Sequence, residues 1–273
     1  MIKRLEGQVA WISGSTRGIG QGIAELFARE GAAVVVIGRN VIDGCAVTDN
    51  ITANGGKAIF IQCDVTDSGQ IKNSIEKTVK EFGNLHILVN NAGNILIKML
   101  HETTEQEWDA LMNLNIKSMF LSFKYAFEYL SKNEKSYVVN IGSINSFIGN
   151  DKVPVYTTSK GAVLQLSRSI GLDYARYGIR CNCVCPGITY TPLLKYHMGQ
   201  SGDADANIKN RIKRVPLGVA LSIHDVAKAV LFFSCEDSAG ITATSLIVDG
   251  GLLGAAEWDT EKVKFKEVSK CSE

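Results

Sequence analysis

Seven short apolar runs punctuate this chain, at residues 9–12, 33–37, 58–62, 87–90, 137–141, 180–184 and 245–248. Segments of helical period separate them, at 20–30, 43–53, 70–82, 105–112, 116–131, 154–176 and 224–233. Short apolar runs need cover on both faces, and strands joined through helices pair in parallel by right-handed crossovers. The alternation predicts an α/β fold, doubly wound, with a seven-stranded parallel sheet and helices on both faces. With 273 residues and 45% hydrophobic content, the chain can bury a core of that size as a single domain, 1–273.

Composition narrows the function. A formal net charge of +1 gives no electrostatic reason to expect nucleic acid or an anionic membrane, so a small-molecule partner is expected. The N-terminal residues lead directly into a strand-like run without a signal-peptide core, and no apolar stretch approaches the ~18 residues of a membrane span. A cytoplasmic location is expected. The seven cysteines are scattered without CxxC pairs, which predicts reduced thiols and no metal site. Cys181, Cys183 and Cys185 alternate along one strand, so they share a face and act as small apolar groups.

The first run leads into Ser13, Gly14, Ser15, Thr16, Arg17, Gly18, Ile19 and Gly20, and then a helix. Glycines there let backbone approach a pyrophosphate, and the free amides of a helix N-terminus stabilise its charge. The second run ends in Gly38-Arg39-Asn40 with no carboxylate to bind a ribose 2′-hydroxyl. Arg39 and Arg17 can instead clamp a 2′-phosphate, which favours NADP(H) over NAD(H) unless the arginines are simply solvated. The third ends in Cys63-Asp64-Val65, where Asp64 suits either an adenine amino group or a helix cap. The fourth ends in Asn90-Asn91-Ala92-Gly93, whose small and amide side chains can hold a loop while leaving room for a ribose.

Between Ser143 and Lys160 the chain reads SINSFIGNDKVPVYTTSK. On a helix, Tyr156 and Lys160 lie one turn apart on one face, so the ammonium can approach the phenol. A phenol of pKa near ~10 is drawn down by a neighbouring positive charge. The pair alone is weak evidence of catalysis and reads more readily as an ordinary amphipathic helix start.

Taken together, GxxxGxG at Gly14, Gly18 and Gly20, NNAG at 90–93, Asn115 in LNIKS, Ser143 thirteen residues before Tyr156, and PGxxxTP at 186–192 resemble the short-chain dehydrogenase/reductase family. The resemblance covers about residues 5–251. It implies a Rossmann-type fold, a nicotinamide cofactor and a tetrad at Asn115, Ser143, Tyr156 and Lys160. In that family the tyrosine is the general acid/base and the serine holds the substrate oxygen. The lysine binds the nicotinamide ribose and lowers the tyrosine pKa, and the asparagine supports a water relay. The resemblance also extends the cofactor set to Pro186, Gly187, Ile188 and Thr191, with the Ile188 backbone and Thr191 hydroxyl on the carboxamide. It implies a homotetramer built through 116–131 and 154–176. Ser13 departs from a more usual threonine, Trp11 is bulky for its strand, and His86 replaces a more familiar aspartate in a surface or strand-edge role.

The expected reaction interconverts a ketone and a secondary alcohol. Substrate-side candidates are Ser143, Asn145, Phe147, Tyr156, Leu193 and Leu194. Their apolar members favour a hydrophobic substrate such as a hydroxysteroid (bile acid). The alternatives are a 3-oxoacyl thioester, for which Lys98, Lys152 and Lys195 could supply a basic rim, and a sugar or polyol. A catalytically idle cofactor sensor or scaffold is the alternative of another class. Residues 193–217 are polar and weakly patterned and read as a mobile substrate lid or a plain surface loop. The charged tail at 257–273 is either frayed or laid on a neighbouring subunit.

Overall fold

In a computed structural model of the protein, residues 3–200 and 202–255 are described. The strands are β1 (Val9–Ser13), β2 (Ala33–Gly38), β3 (Lys57–Gln62), β4 (Ile87–Asn90), β5 (Ser136–Ile141), β6 (Ile179–Pro186) and β7 (Ser245–Val248). They form one sheet in the order β3-β2-β1-β4-β5-β6-β7, with every neighbouring pair parallel. The order reverses between β1 and β4, the place where open α/β sheets carry their ligand crevice.

The helices are α1 (Gly18–Arg29), α2 (Val41–Ala53), α3 (Ser68–Phe82), α4 (Glu105–Met112), α5 (Ser118–Leu130), α6 (Pro154–Asp173), α7 (Pro192–Gly199), α8 (Ala204–Ile212) and α9 (Ile223–Phe233). Alternate strand residues feed two cores. Ala10, Ile12, Val34 and Val36 meet Ile23 and Phe27 of α1 and Val226 and Val230 of α9. Trp11, Val35, Ile37 and Val138 meet Ile71 and Ile75 of α3, Phe123 of α5 and Ile170 of α6. The bulk of Trp11 is accommodated opposite a small residue of α3, since its indole N–H donates to Ser74 Oγ at 3.1 Å.

His86 lies just before β4, between two paired strands. Its Nδ1 accepts the Val9 N–H at 3.0 Å, and its backbone N–H donates to the Val9 carbonyl, clipping the start of β1 to the β4 side. Cys181, Cys183 and Cys185 are fully buried, and the last two sulfurs lie 3.5 Å apart. No helix among the described residues is long and apolar enough to cross a membrane.

Two regions differ from the sequence reading. α4 and α5 are continuous through a π-helical turn, Asn113–Lys117, instead of separated by a break. Residues 192–212 hold two helices, not an unpatterned loop. Thr191 caps α7 by accepting the Leu194 N–H, with Pro192 in its first turn, and Asp203 caps α8 through the Asp205 and Ala206 N–H groups. These local caps stabilise helices that have little apolar periodicity. The tail at 257–273 lies outside the described residues.

Candidate active site

The glycine loop connects β1 to α1 at the switch point. Gly14 and Gly18 have left-handed backbones, φ 62 and φ 61. At Gly20 a Cβ would run into the Gly14 carbonyl, so only glycine lets the helix start this close to the loop. The N-terminus of α1 has no side-chain cap and no acid in its first turn. Its amides are therefore available to an anion.

Ser13 and Asn91 lock this loop to the end of β4. Ser13 Oγ accepts the Asn91 and Ala92 N–H groups at 2.9 and 3.0 Å, while Asn91 Nδ2 donates to the Ser13 and Gly14 carbonyls at 2.9 Å each. The side chain of Ser15, which the sequence places in the cofactor loop, turns inward. Its hydroxyl is buried, donating to the Ile12 carbonyl and accepting the Ile37 N–H. Thr16 stands against Gly38, Ile19 packs on the apolar core, and Arg17 is exposed beside them.

At the ends of β2 and β3, the Arg39 side chain is 78% exposed and its Nη1 lies 3.7 Å from Asp64 Oδ2. Burial works against the Asp64 charge. The Thr66 N–H and hydroxyl and the Arg39 guanidinium outweigh it and hold the carboxyl below its ordinary value. Asn40 caps α2 by accepting the Asp43 N–H, and Val65 is buried. Opposite, Gly187 meets Asp249 so closely that a Cβ would lie 2.8 Å from its Cα, and the Ile188 carbonyl accepts the Leu221 N–H at 2.8 Å. Pro186 ends β6, and Thr191 Oγ accepts the Leu194 N–H at 3.1 Å with its own proton left to donate.

Asn115, Ser143, Tyr156 and Lys160 lie on the π turn, the turn after β5, and α6. Asn115 is fully buried. Its Oδ1 accepts the Asn94 N–H at 2.9 Å, and its Nδ2 donates to the Asn94 carbonyl at 3.0 Å and to Ser159 Oγ at 2.9 Å. Ser143 Oγ accepts the Asn145 N–H at 3.1 Å and donates to Asn145 Oδ1 at 3.4 Å, and it stands near enough to the Tyr156 phenol to draw its pKa down. Lys160 Nζ lies 5.7 Å from the Tyr156 ring centre and donates to the Ile141 carbonyl at 2.8 Å. A Cβ on Gly93 would sit 3.3 Å from Asn115 Oδ1 and 3.7 Å from Lys160 Nζ, so Gly93 keeps the ground before both open.

Burial raises the Tyr156 pKa, and the neighbouring Ser143 hydroxyl opposes that rise. This departs from the expectation that Lys160 dominates. The lysine is itself brought down to about 8, because desolvation disfavours its charge.

On the substrate side, Asn145 is buried and its Nδ2 donates to Thr157 Oγ1 at 3.3 Å, serving the turn. Phe147 and Leu193 are 39% and 38% exposed, and Leu194 is half-buried. Lys98 does not form part of a free basic rim, since both Glu107 oxygens hold it at 3.0 and 2.8 Å. Sequence reasoning missed His197 of α7, which is 9% exposed with neither ring nitrogen hydrogen-bonded.

A family model described as Enoyl-(Acyl carrier protein) reductase matches residues 14–253. An uncharacterized oxidoreductase of Thermotoga maritima is 37% identical, over 90% of this chain and 97% of its own. The 2-(R)-hydroxypropyl-CoM dehydrogenase of Xanthobacter autotrophicus is 34% identical, over 89% and 97%. Among solved structures, ligand-free Thermoplasma acidophilum aldohexose dehydrogenase superposes with a TM-score of 0.86 at 32% identity, over 95% and 99%. The chain belongs to the short-chain dehydrogenase/reductase family. It is an NAD(P)-dependent oxidoreductase acting on alcohol and carbonyl groups.

Proposed function

We propose that the protein interconverts an apolar ketone and its secondary alcohol with NADP(H), using Tyr156 as general acid/base. The observation that carries this is the convergence of the Ser143 hydroxyl, the Tyr156 phenol and Lys160, whose Nζ lies 5.7 Å from the Tyr156 ring centre. It aims two hydroxyls at one position, where a carbonyl oxygen can accept from both. The uncapped α1 terminus, the glycine approach and the open ground before Gly93 fit a dinucleotide. When bound, its nicotinamide supplies the hydride.

In reduction, Tyr156 gives its proton to the substrate oxygen while Ser143 donates a hydrogen bond to the same atom. In oxidation, the Tyr156 oxygen takes the hydroxyl proton back. Lys160 orients the ribose and balances charge on the phenol oxygen, and Asn115 holds the Asn94 backbone at the cleft. Arg39, with Arg17, binds the 2′-phosphate that separates NADP(H) from NAD(H). Gly14, Gly18, Ile19, Asp64, Ala92, Ile188 and Thr191 line the rest of the dinucleotide path.

The substrate class follows from Ile97, Phe147, Ile148 and Leu193, which are 38–42% exposed on segments next to the tetrad or in the first turn of α7. Lys98, neutralised by Glu107, weakens the case for an acidic carrier. A hydroxysteroid is the flat apolar member of this class. Phe120 and Leu172, exposed on α5 and α6, suit a tetramer built through those helices.

The test follows NADPH absorbance with steroid ketones, 3-oxoacyl thioesters and sugar ketones. Turnover of an apolar ketone well above the other two is expected. Preference for a sugar would overturn the substrate class, and preference for NADH would overturn the cofactor assignment.

A further inference from the structure

Ser143 and the Tyr156–Lys160 pair approach the cleft on different elements. The covalent path between them includes exposed Phe147 and Ile148 and a left-handed Lys152, φ 55. Such a path does not fix their separation, so the fixing has to come from cross-contacts. Ser146 makes the most direct one. Its Oγ accepts the Ser143 N–H at 3.3 Å and donates to the Lys160 carbonyl at 2.7 Å. One hydroxyl, with one proton and its lone pairs, thus bridges the backbones of two tetrad positions.

The bridge rests on a packed floor. A Cβ on Gly142 would lie 2.8 Å from both Cys183 and Cys185 Sγ and 3.0 Å from Ser146 Oγ. The bare Cα of Gly142 therefore lets the serine hydroxyl and the two buried thiols close around it. Further bonds join α6 to the turn and to the last residue of β5. Asn145 Nδ2 donates to Thr157 Oγ1 at 3.3 Å, and Lys160 Nζ donates to the Ile141 carbonyl at 2.8 Å. The second uses the ammonium assigned above to the ribose. The Ser146 bond to Lys160 uses only that residue's carbonyl, so it does not compete with that task.

We propose that Ser146 is a positioning residue of the proton-transfer site, holding Ser143 at fixed reach of Tyr156 by tying the Ser143 N–H and the Lys160 carbonyl of α6 to one hydroxyl. This rests on the roles proposed above for Ser143, Tyr156 and Lys160. Without the bridge the turn drifts, and the Ser143 hydroxyl that favours the phenolate moves away from it.

Ser146→Ala tests it against wild type, with kcat, NADPH affinity and the pH profile of alcohol oxidation all measured. The expected result is a fall in kcat of about tenfold or more, with NADPH affinity held within about twofold. The pH midpoint of oxidation should move upward, which a merely structural loss does not cause. Ser146→Thr keeps the hydroxyl and should restore both kcat and the midpoint. Wild-type kcat and midpoint in Ser146→Ala would overturn the proposal, as would joint loss of stability and activity without a midpoint shift, or failure of Ser146→Thr to restore either. A wild-type protein that consumes no NADPH with any ketone removes the functional reading, whereas an active wild type matched by Ser146→Ala removes this proposal alone.

Discussion

Asn115 donates to Ser159 Oγ at 2.9 Å, and Ser159 passes the contact on by donating to the Tyr156 carbonyl at 2.7 Å. The π turn and α6 are therefore joined through side chains buried out of reach of solvent. π turns recur at functional sites because the extra residue redirects one side chain out of the regular helical register. Here the redirected side chain holds both the N–H and the carbonyl of Asn94, at the edge of the cleft.

Replacing Asn115 with Ala leaves the Asn94 N–H without its partner and frees Ser159. Each buried polar group left unpaired costs about 1–3 kcal/mol. Asn115→Ala should therefore lower the urea midpoint measurably and reduce turnover more than tenfold, on the order of a misaligned site. Wild-type stability together with wild-type turnover would show that the tie is dispensable.

Arg39 is too exposed to matter for folding, which makes its cofactor role separable. Arg39→Ala should weaken NADPH binding by about tenfold, the scale of one solvent-exposed charge-assisted hydrogen bond, and leave NADH binding nearly unchanged. Fluorescence titration with both cofactors decides this. Equal losses would show that Arg39 does not read the 2′-phosphate.

His197 gives a pH prediction with a definite sign. Desolvation lowers its folded-state pKa below the ordinary 6.5. On acidification the unfolded chain takes up the proton first. The contribution to stability is thus complete above about 6.5 and is lost as pH falls from there through the folded value. His197→Leu keeps the packing without the titration, so its fall in Tm between pH 7 and pH 5 should be smaller than the wild type's. Half-buried His86, also lowered by desolvation, leaves a residual slope. Identical slopes in the two proteins would exclude His197 as a source of acid sensitivity.

The sheet was legible because burial on both faces leaves its mark on the inner strands β1, β2, β4, β5 and β6, and the period-two cysteines of β6 carried their shared face openly. The glycine loop was legible too, since close backbone approach restricts residue type. The π turn at Asn113–Lys117 was not, because one extra residue shifts hydrogen-bond register without changing side-chain chemistry. α7 and α8 were passed over for lack of apolar periodicity, although Thr191-Pro192 and Asp203 are cap signals that could have marked their starts. The inward hydroxyl of Ser15 and the His197 ring nitrogens left without hydrogen bonds depend on packing that composition does not encode. The bridging role of Ser146 likewise exists only once the turn after β5 lies against α6.

The central claim is that the Tyr156 hydroxyl carries the proton and is not needed to hold the cofactor. Tyr156→Phe separates the two in one preparation, by measuring NADPH affinity and single-turnover ketone reduction side by side. The expected result is NADPH affinity within about threefold of wild type and reduction slowed by roughly a hundredfold or more, the scale of a lost general acid. Reduction within about tenfold of wild type would contradict it, because a residue that surrenders its only exchangeable proton at so little cost is not the acid.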